Sequence, residues 1–317
     1  MATQRGPEFT PVSCPAEIDS TSVAGLSVLI TGGSSALSNL PDYELNFLGS
    51  SGLGAAYVKA FSDAGAFVTN ADLKPPSPAA KSNLQHIRCD VTNWEDQVAA
   101  FKAAITGSPS NSIDIVVANA GISGSDEFFE DDGDEPHKPT LRILETNLLA
   151  MIYTSKLAMH HMKRQGPHRD RCLVLKSSIM GYLDTNGSPT YGAAKHGVRG
   201  LMKVLRRRNG LRVNIVAPWY IATPLMSKLV IERLTTQLEA QGSGFALVED
   251  SVKAVMRIST DRSINGRSLA VVPRSVQNAG YMDIKLDDFA EDSIYRELQE
   301  VCSTLTHRQL APSDQKV

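Results

Sequence analysis

The sequence predicts an α/β fold, a doubly wound and mostly parallel sheet of seven strands with helices on both faces. Short β-branched runs alternate with longer stretches of helical spacing, the order expected of repeated strand–helix–strand units. Most of these runs are apolar throughout, as strands covered by helices on both faces require. The first run ends in a glycine turn, where such sheets present backbone N–H groups at the start of a helix.

The first strand, 26–30, carries Val28-Leu29-Ile30 into Thr31-Gly32-Gly33, and a helix opens at Ser50-Ser51-Gly52-Leu53-Gly54-Ala55. Joined, Gly32, Gly33, Ser51, Gly52, Leu53 and Gly54 form one glycine-rich loop that lets backbone approach a pyrophosphate at a helix N-terminus. Sixteen residues, 34–49, separate the two pieces. Three accounts are open: the insertion loops out while the halves close, it remodels the pocket, or it is translated from a stretch normally spliced out. Its abruptness inside an otherwise matching motif favours the last. Loop-closure entropy rises slowly with length, so cofactor affinity is more exposed to such an insert than folding is.

Strand 67–71 runs into Asp72, eighteen residues beyond Gly54. A carboxylate at that strand end accepts ribose hydroxyls and repels a 2′-phosphate, which favours NAD over NADP. The plain alternative is an aspartate holding its own turn. Strand 86–89 leads to Asp90-Val91, where a side chain and the next backbone are placed to meet an adenine. Strand 113–118 leads to Asn119-Ala120-Gly121, small residues that allow close backbone approach. The acidic loop 124–138 lacks metal-ligand spacing and reads as solvated, so no metal is expected. Helix 140–163 follows, with Leu144, Leu148, Met151, Ile152 and Ser155 at helical spacing. Strand Cys172–Lys176 ends at Ser177-Ser178, helix 191–207 comes next, and strand 211–216 leads to Pro218. A helical flap over 224–245 is placed to cover a substrate, and strand 269–272 completes the sheet. A single dinucleotide-binding catalytic domain, 25–275, thus carries an N-terminal extension, 1–24, and a C-terminal appendage, 276–317.

Ser178, Tyr191 and Lys195 are the chemical centre of the pattern, with tyrosine thirteen positions after serine and lysine four after tyrosine. Residues four apart on a helix share a face, so the Lys195 ammonium sits beside the Tyr191 phenol. A neighbouring cation, together with a cationic nicotinamide, lowers a phenol toward working pH. Tyr191 then takes a proton from an alcohol or returns one to a carbonyl, while Ser178 holds the same oxygen. A lone tyrosine–lysine pair is as well explained by packing; the ordered company of the other motifs sets this one apart.

A net charge of −2 and a pI near 6.4 leave no basic footprint for nucleic acid or an acidic membrane. The four cysteines are dispersed, without paired spacing for a disulfide framework or zinc. No apolar run approaches the roughly 18 residues of a membrane span, and the N-terminus has no apolar core. A soluble, cytoplasmic protein is expected.

Together these segments resemble the short-chain dehydrogenase/reductase family over residues 25–274, with Thr31-Gly32-Gly33, Gly52-Leu53-Gly54, Asp72, Asp90, Asn119-Ala120-Gly121, Asn147, Ser178, Tyr191, Lys195 and Pro218 to Thr223 in order. The resemblance implies a Rossmann-type fold and a nicotinamide cofactor. It implies that Asn147 binds a water linking Lys195 to solvent, that Lys195 holds the nicotinamide ribose, and that Thr223 and the Ile221 backbone meet the carboxamide. The plain reading of Asn147 is a helix-interior asparagine with a local hydrogen bond. More narrowly, 218–224 and 263–267 look like fungal members similar to 15-hydroxyprostaglandin dehydrogenases and to 5′-hydroxyaverantin dehydrogenase, which oxidise secondary alcohols on lipids or polyketides. Trp219 stands where the family usually has glycine; with Tyr220 it either walls the substrate pocket or fills packing space. Arg206-Arg207-Arg208 reads as a solvated helix end favoured by the helix dipole rather than a phosphate site.

The expected function is NAD-dependent hydride transfer between nicotinamide and a secondary alcohol or ketone of an apolar small molecule, of secondary-metabolite character. The rivals are a silent binding or scaffold protein whose dinucleotide site is disrupted by 34–49, and an NADPH-dependent ketone reductase. By resemblance, the long helices also pair copies of the chain into a homodimer or homotetramer.

Overall fold

The computed structural model describes residues 9–14, 17–32, 51–75, 81–130, 133–166, 169–184, 186–208, 210–223, 226 and 228–304. Gly33 and the insertion at 34–49 lie outside them, as do Asp131 and Asp132 of the acidic loop.

All seven expected strands form, as β1 (Ser27–Thr31), β2 (Phe67–Asp72), β3 (Leu84–Arg88), β4 (Ile115–Ala118), β5 (Cys172–Lys176), β6 (Arg212–Pro218) and β7 (Ser268–Val271). They pair in parallel in the order β3-β2-β1-β4-β5-β6-β7. The order reverses between β1 and β4, which leaves a crevice at the carboxyl ends of those strands. An eighth strand, β8 (Tyr281–Asp283), adds antiparallel to β7. It comes from the stretch read as a C-terminal appendage and is too short to carry a period-two signal.

The helices are α1 (Ser51–Asp63), α2 (Trp94–Gly107), α3 (Arg142–Leu144), α4 (Ala150–Met162), α5 (Pro189–Leu205), α6 (Lys228–Ala240), α7 (Val248–Thr260) and α8 (Ile294–Thr304). Side chains alternate across each strand, so one apolar run serves two layers. Val28, Ile30, Val117 and Val174 face a core with Tyr57 and Phe61 of α1 and Val255 and Ile258 of α7. Leu29, Val116, Leu173 and Leu175 face the opposite core, with Phe101 of α2, Leu157 of α4 and Met202 of α5.

The expected helix at 140–163 forms, but a π-helical turn, Glu145–Leu149, joins α3 to α4. Asn147 sits in that turn. π-Turns within α-helices frequently mark functional sites.

Arg206 is not solvated. It caps α5, is 1% exposed, and donates to the carbonyls of Gly266 at 2.8 Å and Asp287 at 3.0 Å. Asp288 pairs with it at 2.9 Å, and its guanidinium lies 4.1 Å from the Phe9 ring centroid. The chain beyond β8 folds back over the end of α5 and supplies Asp287 and Asp288, while Gly266 comes from the turn before β7. Arg267 joins the same cluster through two bonds of 2.9 Å to the Asp283 carboxylate.

Candidate active site

The β strands deliver their functional residues to one edge. At the end of β1, Gly32 has φ +67°, and a Cβ there would lie 2.7 Å from the Ala120 Cα. Only glycine allows the two backbones so close. Asn119 spans the gap, its Nδ2 donating to the carbonyls of Thr31 at 3.1 Å and Gly32 at 2.8 Å. Its own N–H donates to Thr31 Oγ1 at 3.1 Å. The β1 turn and the Asn119-Ala120-Gly121 segment are therefore one welded unit. Gly52, Leu53 and Gly54 lie in the first turn of α1.

Asp72 ends β2 and is buried. Its Oδ1 accepts from the Lys74 N–H at 3.0 Å, as a turn aspartate does, while the residue also occupies the strand end suited to a ribose. Asp90 Oδ1 accepts from the Thr92 N–H at 2.9 Å and hydroxyl at 2.7 Å, shaping the turn that carries Val91 toward α2.

Ser178 follows β5 in extended backbone, and its Oγ accepts from the Met180 N–H at 3.2 Å. The next turn presses on α5: a Cβ at Gly181 would fall 2.7 Å from the Lys195 carbonyl oxygen. That approach sets the serine beside the tyrosine, close enough for its hydroxyl to favour the phenolate, while Ser178 Oγ donates to the Pro218 carbonyl at 3.4 Å. Tyr191 is in the first turn of α5, which begins with Pro189 after an N-cap at Ser188. Asp126, from the loop after β4, accepts from the Ser188 hydroxyl at 2.6 Å and the Thr190 N–H at 2.8 Å. Lys195 Nζ lies 5.3 Å from the Tyr191 ring centroid and donates to the Lys176 carbonyl at 3.3 Å.

Asn147 makes reciprocal bonds with the Ile122 backbone, accepting at 2.8 Å and donating at 2.7 Å. These are long-range rather than intrahelical contacts, so they tie the π-turn to the segment after β4.

Burial pushes the Tyr191 phenol up to about 12; the Ser178 hydrogen bond opposes this and Tyr220 adds to it. Burial also brings Lys195 down to about 8. The sequence-based expectation of a lowered tyrosine is thus not met by the protein's own groups, because desolvation of the phenolate outweighs the lowering effect of Ser178.

An open cleft of about 480 Å³ is lined by Leu53, Ser178, Tyr191, Pro218, Trp219, Tyr220, Ile221 and Thr223, all expected from the sequence. Gly32, Asp72, Asp90, Val91, Asn119, Ala120 and Gly121 belong to the neighbouring strand ends. Lys195 and Asn147 stand behind the cleft wall. Trp219 does two things: it lines the cleft, and its indole N–H donates to the Gly244 carbonyl at 3.1 Å. With the Ile221–Ala246 bridge, that bond pins the root of the excursion carrying α6, the expected flap.

Two participants were missed. Asp126 sits in the loop read only as solvated and acidic. Lys176 lines the cleft, 6% exposed, with Nζ donating to Asn119 Oδ1 at 3.0 Å. Its signal was present: a lysine closing an otherwise apolar, two-sided buried strand. Among the described residues no group of three or more His, Cys, Asp or Glu is placed to hold a metal, and no helix is long and apolar enough to cross a membrane.

The short chain dehydrogenase family profile matches residues 48–233, beginning after most of the insertion. The chain is 33% identical over 296 residues, covering 85% of it and 90% of the relative, to 5′-hydroxyaverantin dehydrogenase of Dothistroma septosporum. It is 30% identical over 267 residues, covering 76% and 77%, to an NADP-dependent dehydrogenase, M3, of a Phoma species. The ligand-free aldohexose dehydrogenase of Thermoplasma acidophilum superposes with a TM-score of 0.62 at 26% identity, covering 78% of this chain and 92% of that one. With its doubly wound sheet and matching profile, the chain belongs to the short-chain dehydrogenase family of oxidoreductases.

Proposed function

We propose that the protein is an NAD-dependent alcohol dehydrogenase that interconverts a secondary alcohol and its ketone on an apolar, polyketide- or lipid-like molecule. The observation that carries this reading is that Ser178 and Tyr191 line one cleft with apolar and aromatic walls, with the Lys195 amine 5.3 Å from the Tyr191 ring behind them. The similarity to 5′-hydroxyaverantin dehydrogenase supports the substrate class.

The residues present fit a nicotinamide dinucleotide. The Gly32–Ala120 contact keeps the β1–β4 crevice free of side-chain bulk on Gly32, the N-terminus of α1 is suited to a diphosphate, and Asp72 ends the strand suited to the adenosine ribose. Gly32, Gly52, Leu53, Gly54, Asp72, Asp90, Val91 and Asn119 to Gly121 would hold the adenosine and diphosphate, and Lys195, Pro218, Ile221 and Thr223 the nicotinamide end. When bound, the cofactor supplies the acceptor or donor of hydride.

The chain's own residues handle the oxygen and its proton. Ser178 donates a hydrogen bond to the substrate oxygen and fixes it against Tyr191. The Tyr191 hydroxyl gives its proton to a ketone oxygen, or as phenolate receives one from an alcohol. Lys195 stabilises the phenolate, and Asn147, locked to Ile122, holds the outer end of the proton path. Trp219 and Tyr220 wall the substrate side, under the α6 flap. The protein acts in the cytoplasm as a homodimer or homotetramer paired through its long helices; Leu149 and Ile152, exposed on the π-turn and α4, support that face.

Tyr191→Phe is expected to lower turnover by at least about a thousandfold with thermal stability retained; near-normal turnover would remove the assignment. Asp72 sets the cofactor arm: NADH should bind more tightly than NADPH, and the reverse order, as the NADP-dependent relative suggests, would overturn the NAD reading. Calorimetric titration of the full chain and of a variant lacking 34–49 tests the silent alternative, which requires binding only after deletion.

A further inference from the structure

The cleft holds a second lysine for which the mechanism above has no use. Lys176 closes β5, whose other residues, Cys172 to Leu175, are core. Leucine or methionine at this position would continue the packing without desolvating an amine, and burying an amine is unfavourable unless something compensates it. Its amine donates to Asn119 Oδ1 at 3.0 Å. Because both Thr31 and Gly32 present carbonyls to the other end of that amide, the oxygen must face the lysine. Lys176, Asn119 and the β1 turn form a chain of bonds running across β4, from the serine strand to the glycine turn.

Lys195 acts on the amine from α5, the Tyr57 ring centroid of α1 lies 5.8 Å away, and Tyr191 and Tyr220 line the same cleft. Among the described residues no carboxylate pairs with it. The cleft that Lys176 lines is shared with Leu53, Ser178, Tyr191, Ile221 and Thr223, the nicotinamide end of the proposed site.

We propose that Lys176 is a second lysine of the dinucleotide site, anchored to the glycine turn through Asn119, whose charge sets the preference between the cationic oxidised and the neutral reduced nicotinamide. The inference rests on the dinucleotide reading above. A protonated Lys176, itself 6% exposed, opposes the oxidised ring by direct repulsion and leaves the reduced ring unaffected. Burial, and after it Lys195, hold the amine well below the ordinary lysine value, so as pH rises its charge is lost earlier than that of an ordinary lysine. Oxidised cofactor should therefore gain affinity relative to reduced cofactor with rising pH.

The test is direct binding of NAD+ and NADH by calorimetry, from about pH 6 to about pH 9, for the unaltered chain, Lys176→Met and Lys176→Gln. Glutamine keeps a donor for Asn119 without the charge. In both variants the ratio of the NAD+ to the NADH dissociation constant is expected to fall about tenfold at the acid end and to change less with pH. Lys195 is retained in all three proteins, so a difference between them reports the loss of the Lys176 charge together with its effect on Lys195. Folded variants that keep the ratio of the unaltered chain within about twofold at every pH overturn the proposal. So does a ratio that stays flat with pH in the unaltered chain, whatever the variants do. If the unaltered chain binds neither form, the dinucleotide reading falls and this inference with it; binding without a Lys176 effect removes the inference alone.

Discussion

Asp126 offers the sharpest test of how the catalytic helix is held. Its carboxylate is 3% exposed and accepts from the Ser188 hydroxyl at 2.6 Å and the Thr190 N–H at 2.8 Å, immediately before Tyr191. Bonds to a charged acceptor contribute about 1.5–3 kcal/mol each, and the negative charge at the α5 N-terminus adds about 0.3–1 kcal/mol. Asp126→Ala loses both bonds and the longer one from the Phe128 N–H at 3.4 Å, but Ser188 still caps the Tyr191 N–H at 3.2 Å, so the expected loss is about 2–4 kcal/mol. Asp126→Asn, which keeps the shape and one acceptor, should lose about 1 kcal/mol. Urea unfolding monitored by circular dichroism reads these values from midpoints at constant slope. Because small misplacements near the chemistry are expensive, kcat in the alanine variant should fall about tenfold with the substrate KM nearly unchanged.

The pH dependence supplies an independent check. Burial raises the Asp126 carboxyl, but the bonds from Ser188, Thr190 and Phe128 prevail and hold it below the ordinary value. A carboxylate lowered in the folded state contributes stability that is fully present above the unfolded value, about 4, and disappears as pH falls through the folded value. Stability of the unaltered protein should decline over that acid window more steeply than that of Asp126→Asn. A loss below about 0.5 kcal/mol in the alanine variant, with parallel acid profiles, would refute the claim that this carboxylate holds the helix.

Two further outcomes follow from close packing. Gly181→Ala places a methyl 2.7 Å from the Lys195 carbonyl and 2.8 Å from Ser177 Oγ; separating the serine turn from α5 should destabilise by about 1–3 kcal/mol and reduce kcat, and an alanine variant with normal kinetics would contradict the stated role of that contact. Arg206→Ala leaves the Gly266 and Asp287 carbonyls and Asp288 without their buried cation, with an expected loss of about 3–5 kcal/mol by thermal or denaturant unfolding.

The strands were legible because most of them announce themselves as buried apolar runs, β3 being the exception, and the cleft residues named from motifs lie at or just beyond a strand's carboxyl end, as Ser178 and Pro218 do, or in the first turn of a helix, as Leu53 and Tyr191 do. What escaped is nonlocal. Arg206 looked solvated because its sequence neighbours are arginines; the carbonyls and carboxylate that bury it come from residues 266–288. Asn147 sat in a helical pattern, yet its partner is Ile122, twenty-five residues away. Asp126 belonged to an acidic run, and nothing local marks it as the one that turns inward to meet Thr190. In each case composition gave the residue's chemistry, and tertiary structure chose its partner.

The electrostatics of Tyr191 bear on what the scaffold contributes to either direction of reaction. In the protein alone the phenol sits at about 12, so at neutral pH it is a proton donor with the geometry to protonate a ketone oxygen. To act as a base it must come down by several units, and each unit is about 1.4 kcal/mol of differential stabilisation. Lys195, itself brought to about 8 by burial, is only partly available as a cation once pH exceeds that value. An oxidised ring adds a positive charge to the same cleft; this helps the tyrosine ionise and, by the same repulsion, drives Lys176 and Lys195 toward their neutral forms. The three groups are therefore coupled, and the pH profile of alcohol oxidation should belong to the set rather than to Tyr191. Replacing Lys176 should then move the apparent pKa of oxidation even though the lysine has no proton to pass to the substrate, whereas an oxidation profile unchanged in Lys176→Met would show that Lys176 titrates independently of the phenol.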